Sequence, residues 1–217
     1  MSENNIPNYP TSSDQFRNKN IVITAAAGSG IGYATAKRYL EEGGNVFISD
    51  LHEERLKASI KELQDLNLGR IDGCLCNVTS TEEVNEMILK ASDYLETIDV
   101  LVNNAGLGGQ NSLEEMPDDV WNNIIDVTLN GTMRVMRASI PHLKKTRGVI
   151  VNNASVLGWR AQKDQTHYAA AKAGVMALTR CTAVELSLIH ISEPTRPERI
   201  SYCVLGVKKK RGGGGGG

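Results

Sequence analysis

The sequence predicts an α/β fold built on a doubly wound parallel sheet. Three observations carry this. Short apolar, β-branched runs alternate with longer stretches of helical periodicity from residue 20 to about residue 186. Glycine and polar clusters follow the strand-like runs, after Thr24, Asp50, Val78, Val102 and Val151, where ligands bind in such sheets. The first strand-to-helix connection is a glycine-rich turn, Gly28-Ser29-Gly30-Ile31-Gly32.

Residues 1–19 are polar, carry two prolines and read as a flexible N-terminal arm. Asn20–Thr24 (NIVIT) is a buried strand, and Ile31–Glu42 is a helix closed by Gly43-Gly44. Val46–Asp50 is the second strand. Leu56, Ile60, Leu63 and Leu66 form the apolar stripe of a helix over 53–66. Ile71–Val78 is the third strand, and Thr79-Ser80-Thr81-Glu82-Glu83 opens a capped helix running to about Glu96. Ile98–Val102 is the fourth strand. Pro117-Asp118-Asp119 starts a long helix to about Lys145. Gly148–Asn152 is the fifth strand, and an Ala-rich helix spans 165–186.

Composition bounds the class. The 217 residues are 41% hydrophobic and 23% charged, with net charge −1, as suits a single globular domain. A near-neutral balance argues against nucleic-acid or anionic-membrane partners. No apolar run reaches the roughly 20 residues of a membrane span. Four cysteines in such a length form no disulfide framework, so a reducing, cytoplasmic setting is expected. Cys74-x-Cys76 has no partner pair or His cluster and reads as buried thiols rather than metal ligands; Cys181 also reads as core.

A break occurs near Glu185 or Leu186. The segment from Ser187 holds six of the 24 basic residues and two of the 25 acidic ones, which leaves a net −5 in the first 186. Leu186–Arg196 (LSLIHISEPTR) resembles a translated transposase adapter. Lys208-Lys209-Lys210-Arg211 before Gly212–Gly217 is what a run of A then a run of G encodes. We therefore expect 187–217 to be a non-native tail, outside the Rossmann-type domain assigned to 20–186.

The glycine-rich turn suits a pyrophosphate at a helix N-terminus. Asp50, about 20 residues on, can accept both hydroxyls of an adenosine ribose and would repel a 2′-phosphate, which favours NAD over NADP. His52 and Arg55 lie close enough to bear on that choice. Tyr168 and Lys172 stand at i and i+4 on one helix face, where an ammonium favours a phenolate. Ser155 lies just past the fifth strand. Taken singly, these features also read as a tight turn, a helix-capping Asp and a surface pair; it is their ordered combination that points to a site. His167 shapes the substrate pocket or its rim, and Trp121 and Trp159 serve packing or the pocket wall.

TAAAGSGIG, NNAG, and Ser155 with YAAAK together resemble the short-chain dehydrogenase/reductases, from about Lys19 to Glu185. The wording is most similar to bacterial hydroxysteroid dehydrogenases and 3-oxoacyl reductases. The resemblance implies an NAD(H)-dependent oxidoreductase acting on a secondary alcohol or ketone. It implies Tyr168 as proton donor or acceptor, Lys172 as its partner and a nicotinamide-ribose ligand, and Ser155 as a hydrogen-bond donor to the substrate oxygen. Asn104, Ala105 and Gly106 would line the adenosine ribose, with Thr24 at the same cofactor site and Val78 near the adenine. The resemblance also implies a homodimer or homotetramer paired through helices at about 119–145 and 165–186, and a sheet that continues with further strands. This chain is accordingly expected to lack its last strands, and to be unstable and poorly active.

Three departures stand out. Ala26 occupies the usual first glycine, tolerable only at negative φ. Asn77 replaces an Asp that accepts from the adenine amine, a bond its amide oxygen can still accept. Thr128 replaces an Asn that holds a proton-relay water, and the resemblance implies that its hydroxyl takes that catalytic place. A nucleotide-binding sensor or pseudoenzyme, or an inactive fragment of such an enzyme, is the alternative reading.

Overall fold

The computed structural model describes residues 9–187. The expected non-native segment lies outside the described residues, apart from Ser187. Strands β1 (Asn20–Thr24), β2 (Asn45–Asp50), β3 (Ile71–Leu75), β4 (Val100–Asn103) and β5 (Val149–Asn152) form one parallel sheet in the order β3-β2-β1-β4-β5. Helices α1 (Ile31–Glu41), α2 (Glu53–Asp65), α3 (Thr81–Leu95), α4 (Asp118–Ile125), α5 (Gly131–Thr146) and α6 (Thr166–Ser187) are placed as the alternation predicts. The chain winds outward from β1 to β3, then crosses back to lay β4 on the other side of β1. That reversal opens the crevice in which such sheets bind ligands.

Strand residues alternate between two cores, because successive side chains point to opposite faces. Ile21, Ile23, Val46, Ile48, Val100 and Val102 pack with Ala36 and Leu40 of α1 and with Leu56 and Leu63 of α2. Val22, Phe47 and Leu101 pack against α3 and α5 through Val84, Met87, Ile88, Val135 and Met136. Among the described residues no helix is long and apolar enough to cross a membrane.

Four local expectations change. First, residues 9–19 are held rather than loose. Ser13 and Gln15 donate backbone N–H groups to the Glu42 carboxylate, and Phe16 packs edge-on against Tyr39 with centroids 4.6 Å apart. Those N–H groups, together with Arg38, hold the Glu42 carboxyl below the usual range. Second, β3 ends at Leu75, because the Asn77 amide oxygen starts a turn by accepting from the Thr79 N–H (3.0 Å) and hydroxyl (2.8 Å). Third, the long helix expected from Pro117 is two helices joined by a π-helical turn, Asp126–Asn130, centred on Thr128. Fourth, Cys181 is exposed on α6. Small residues, chiefly alanine, are spread around that helix, so periodicity does not mark its buried face. Cys76, just past the end of β3, is buried, and Cys74 packs against the same core, as expected for buried thiols.

The candidate active site and dinucleotide cleft

The glycine-rich turn is tied down by three successive N–H groups. Ala26 donates to the Ser49 carbonyl (3.0 Å), Ala27 to Asp50 Oδ2 (3.1 Å), and Gly28 to Ser59 Oγ (2.9 Å). Positive φ falls on Ala25 (51°) and Gly28 (84°), so buried Ala26 keeps the negative φ that its methyl group requires. An αL alanine costs about 1–2 kcal/mol, and Asn104 Nδ2 holds the Ala25 carbonyl at 2.8 Å. Gly32 is required by close approach: a Cβ there would lie 2.4 Å from the Ala25 oxygen. Ser29 and Ile31 are exposed at the mouth of the turn.

Asp50 is 7% exposed at the end of β2. Besides Ala27, it accepts the His52 N–H at 3.0 Å, and Arg55 lies 3.8 Å away. The carboxylate thus joins the turn to His52, the residue that precedes α2.

Thr24 and Asn77 act differently from expectation. Thr24 is fully buried, and its hydroxyl accepts the N–H groups of Asn104 (3.0 Å) and Ala105 (3.1 Å). It shapes the crevice by holding that loop from below. Both acceptor positions of the Asn77 oxygen are engaged by Thr79, so its Nδ2 donor is what remains for a ligand. Val78 is buried at the foot of α5, where a Cβ on Gly131 would come within 2.7 Å of its Cγ2.

Lys172 is 4% exposed. Its Nζ donates to the Asn153 carbonyl at 2.5 Å and lies 5.6 Å from the Tyr168 ring centroid. Burial lowers its pKa from the ordinary lysine value. A Cβ on Gly106 would lie 3.5 Å from Lys172 Nζ and 3.6 Å from Thr128 Oγ1, which brings these three residues together. Ser155 caps a 3-10 turn, Val156–Gly158, its Oγ accepting from Leu157 N at 3.2 Å. That turn packs on α6 so closely that a Cβ on Gly158 would sit 2.6 Å from Met176 Sδ. The contact fixes Ser155 against the helix that carries Tyr168.

Thr128 is fully buried, and its hydroxyl is engaged with the Leu107 N–H (3.0 Å) and carbonyl (3.3 Å). It anchors the loop after β4 instead of standing free to hold a relay water. His167 is fully buried rather than at a rim, and neither ring nitrogen has a partner among the described residues. A cavity of about 920 Å³ reaches from Ser155 over the β4–β5 face, lined by Ile31, Val102, Val151, Trp159 and Met176. Trp159, 76% exposed, forms part of its wall.

The site residues fit a nicotinamide dinucleotide. Space over Gly28 and Gly30 is open where a side chain would stand, and Gly30 offers no side chain to cap α1, so the helix end faces the crevice. Among the described residues there is no group of three or more His, Cys, Asp or Glu able to hold a metal. Two contributors were missed by sequence reasoning. Ser59 carries no motif and is one polar residue on the buried stripe of α2. Asn153 has a signal, since Asn-Asn closes both β4 and β5.

The family profile described as short chain dehydrogenase matches residues 19–192. The chain is 55% identical over 169 residues to (5R,7aS)-5-hydroxy-7a-methyl-1-oxo-2,3,5,6,7,7a-hexahydro-1H-indene-carboxyl-CoA reductase of Mycobacterium tuberculosis, which covers 77% of this chain and 64% of that protein. It therefore spans less than two thirds of that relative. A short chain dehydrogenase from Mycobacterium smegmatis superposes with a TM-score of 0.81 at 50% identity, covering 84% of this chain and 75% of that one. Carveol dehydrogenase from Mycobacterium avium, solved in complex with NAD, superposes with a TM-score of 0.75 at 31% identity, covering 79% of this chain and 67% of that one.

Proposed function

The chain belongs to the short-chain dehydrogenase family of oxidoreductases, and from that premise we propose that it interconverts a secondary alcohol and a ketone with NAD(H). The observation that carries this is Lys172: its ammonium is buried, 5.6 Å from the Tyr168 ring, on the helix against which the Ser155 turn packs.

The nicotinamide, when bound, supplies or accepts the hydride. The protein's own part is orientation and one proton. In ketone reduction Tyr168 Oη gives its proton to the carbonyl oxygen as the carbon gains the hydride. In alcohol oxidation it takes the hydroxyl proton as the carbon loses the hydride. The Lys172 ammonium stabilises the phenolate left behind and donates to the nicotinamide ribose. Ser155 donates to the substrate oxygen as charge develops there.

Asp50 supports NAD over NADP by its charge and burial beside the turn, as does the NAD bound in the carveol dehydrogenase relative. The 55% identical relative, a bicyclic carboxyl-CoA reductase by name, supports a bulky ring ketone attached to an acyl-CoA as the substrate class. The apolar wall at Val151, Trp159 and Met176 suits such a ring. A cytoplasmic setting belongs to this reading, with three free thiols among the described residues. So does assembly into a homodimer or homotetramer, which light scattering would test.

A second reading, a dinucleotide-binding sensor, is favoured by Thr128, whose hydroxyl is engaged by Leu107. The deciding experiment is NAD(H)-linked turnover of secondary alcohols and ketones, including bicyclic keto acyl-CoA esters, beside Tyr168→Phe. A loss of about 10²–10⁴-fold supports the proton-transfer role. An unaffected rate overturns it, and dinucleotide binding with no turnover supports the sensor.

A further inference from the structure

The strands β4 and β5 both end in Asn-Asn, and Asn103 stands opposite Asn152 in the register. Alternation along the strands separates the four residues into two pairs. Asn103 Nδ2 donates to Asn152 Oδ1 (2.8 Å), and Asn152 Nδ2 donates to Thr179 on α6 (2.8 Å). Asn153 Nδ2 donates to Asn104 Oδ1 (3.0 Å), and Asn104 Nδ2 donates to the Ala25 carbonyl (2.8 Å).

The direction of the second chain is forced. A carbonyl oxygen only accepts, so Ala25 demands the NH₂ of Asn104 and leaves its oxygen for Asn153. Asn153 is held a second time by its own N–H, which donates to the Asn103 carbonyl at 2.9 Å. Its carbonyl, so oriented, receives Lys172 Nζ at 2.5 Å.

We infer that Asn153 is a positioning residue that couples the Ala25 turn of the dinucleotide site to the Lys172 ammonium. One residue thereby sets both the backbone of a turn held at positive φ and the height of the buried lysine. The inference rests on the reading of Lys172 as a working group of the site, but its geometry does not depend on turnover. Burial is the cause of the lowered Lys172 pKa, with no carboxylate contributing. Loosening the Asn153 carbonyl therefore lets the ammonium reach water and titrate closer to an ordinary lysine.

The test compares Asn153→Ala with Asn152→Ala, which breaks the other amide pair. Three quantities are read: the Lys172 titration by NMR of the side-chain nitrogen, NAD binding by fluorescence, and unfolding temperature. We expect Asn153→Ala to raise the Lys172 titration point and weaken NAD binding about two- to tenfold, the scale of one hydrogen bond. Asn152→Ala should lower the unfolding temperature while leaving both of the other quantities in place. Asn153→Ser, which keeps a donor of shorter reach, carries the same readouts where the alanine variant does not fold. Unchanged Lys172 titration and NAD binding in the Asn153 variants overturn the inference, as do equal shifts in Asn152→Ala. Should Tyr168→Phe prove silent while these shifts stand, the catalytic reading fails and the coupling survives.

Discussion

Ser59 Oγ accepts the N–H of Gly28 at 2.9 Å, so a buried hydroxyl on the second helix holds the glycine-rich turn at the end of the first strand. Replacing Ser59 with Ala leaves that N–H without a partner, at about 1–3 kcal/mol when such a group is buried. We expect a lower unfolding temperature and NAD binding weakened several-fold, read by fluorescence titration. Unaltered binding in a folded variant would separate α2 from the turn.

Asp50 joins the Ala27 and His52 N–H groups at the end of β2. Asp50→Ala removes the charge that opposes a 2′-phosphate and leaves Arg55 beside the position. The ratio of kcat/KM for NADP to that for NAD should rise. No change in the ratio counts against the ribose role.

At Gly32 a Cβ would meet the Ala25 oxygen at 2.4 Å and Asn104 Nδ2 at 2.6 Å. Gly32→Ala should therefore displace the turn, with a loss of about 1–3 kcal/mol, the usual cost of overpacking. Thermal unfolding measures the loss, and an unchanged unfolding temperature would show that the turn yields freely.

Burial lowers the Lys172 pKa below its ordinary 10.5. Between the lowered value and about 10.5 the unfolded chain holds a proton that the folded chain has released, so stability rises with pH across that window. Wild type should gain stability relative to Lys172→Met as pH climbs from 7 toward 10.5, followed by urea unfolding. A difference independent of pH would refute the shift.

Burial pushes the Cys74 thiol up to about 11 and the Cys76 thiol to about 12, whereas Cys181 is exposed. Iodoacetamide at pH 8 should label Cys181 first among the three, with Cys74 and Cys76 protected until the protein unfolds. Early labelling of Cys76, found by peptide mapping, would contradict the packing of the core just past β3.

The strand–helix alternation, the glycine-rich turn, Asp50 and the Tyr168–Lys172 pair were legible because each is written locally, in periodicity or in an i, i+4 spacing. Thr128 shows where that ends. Its position marked it for a water, yet its hydroxyl is engaged by Leu107, 21 residues away. The π-helical turn around it is a backbone adjustment that no side-chain pattern announces. Ser59 was hidden altogether, and the repeated Asn-Asn that marks Asn153 gave no role, since the importance of both residues lies in partners brought near by the sheet.

By itself, then, the sequence determined the alternation of strands and helices and the end of the sheet at which the glycine and polar clusters gather, because both are written in the local apolar pattern. Only the tertiary structure decided which hydroxyls and amides remain for a ligand and which are engaged by the protein. A hydrogen bond takes a particular donor, and which donor arrives depends on the register of strands that lie 49 residues apart in the chain.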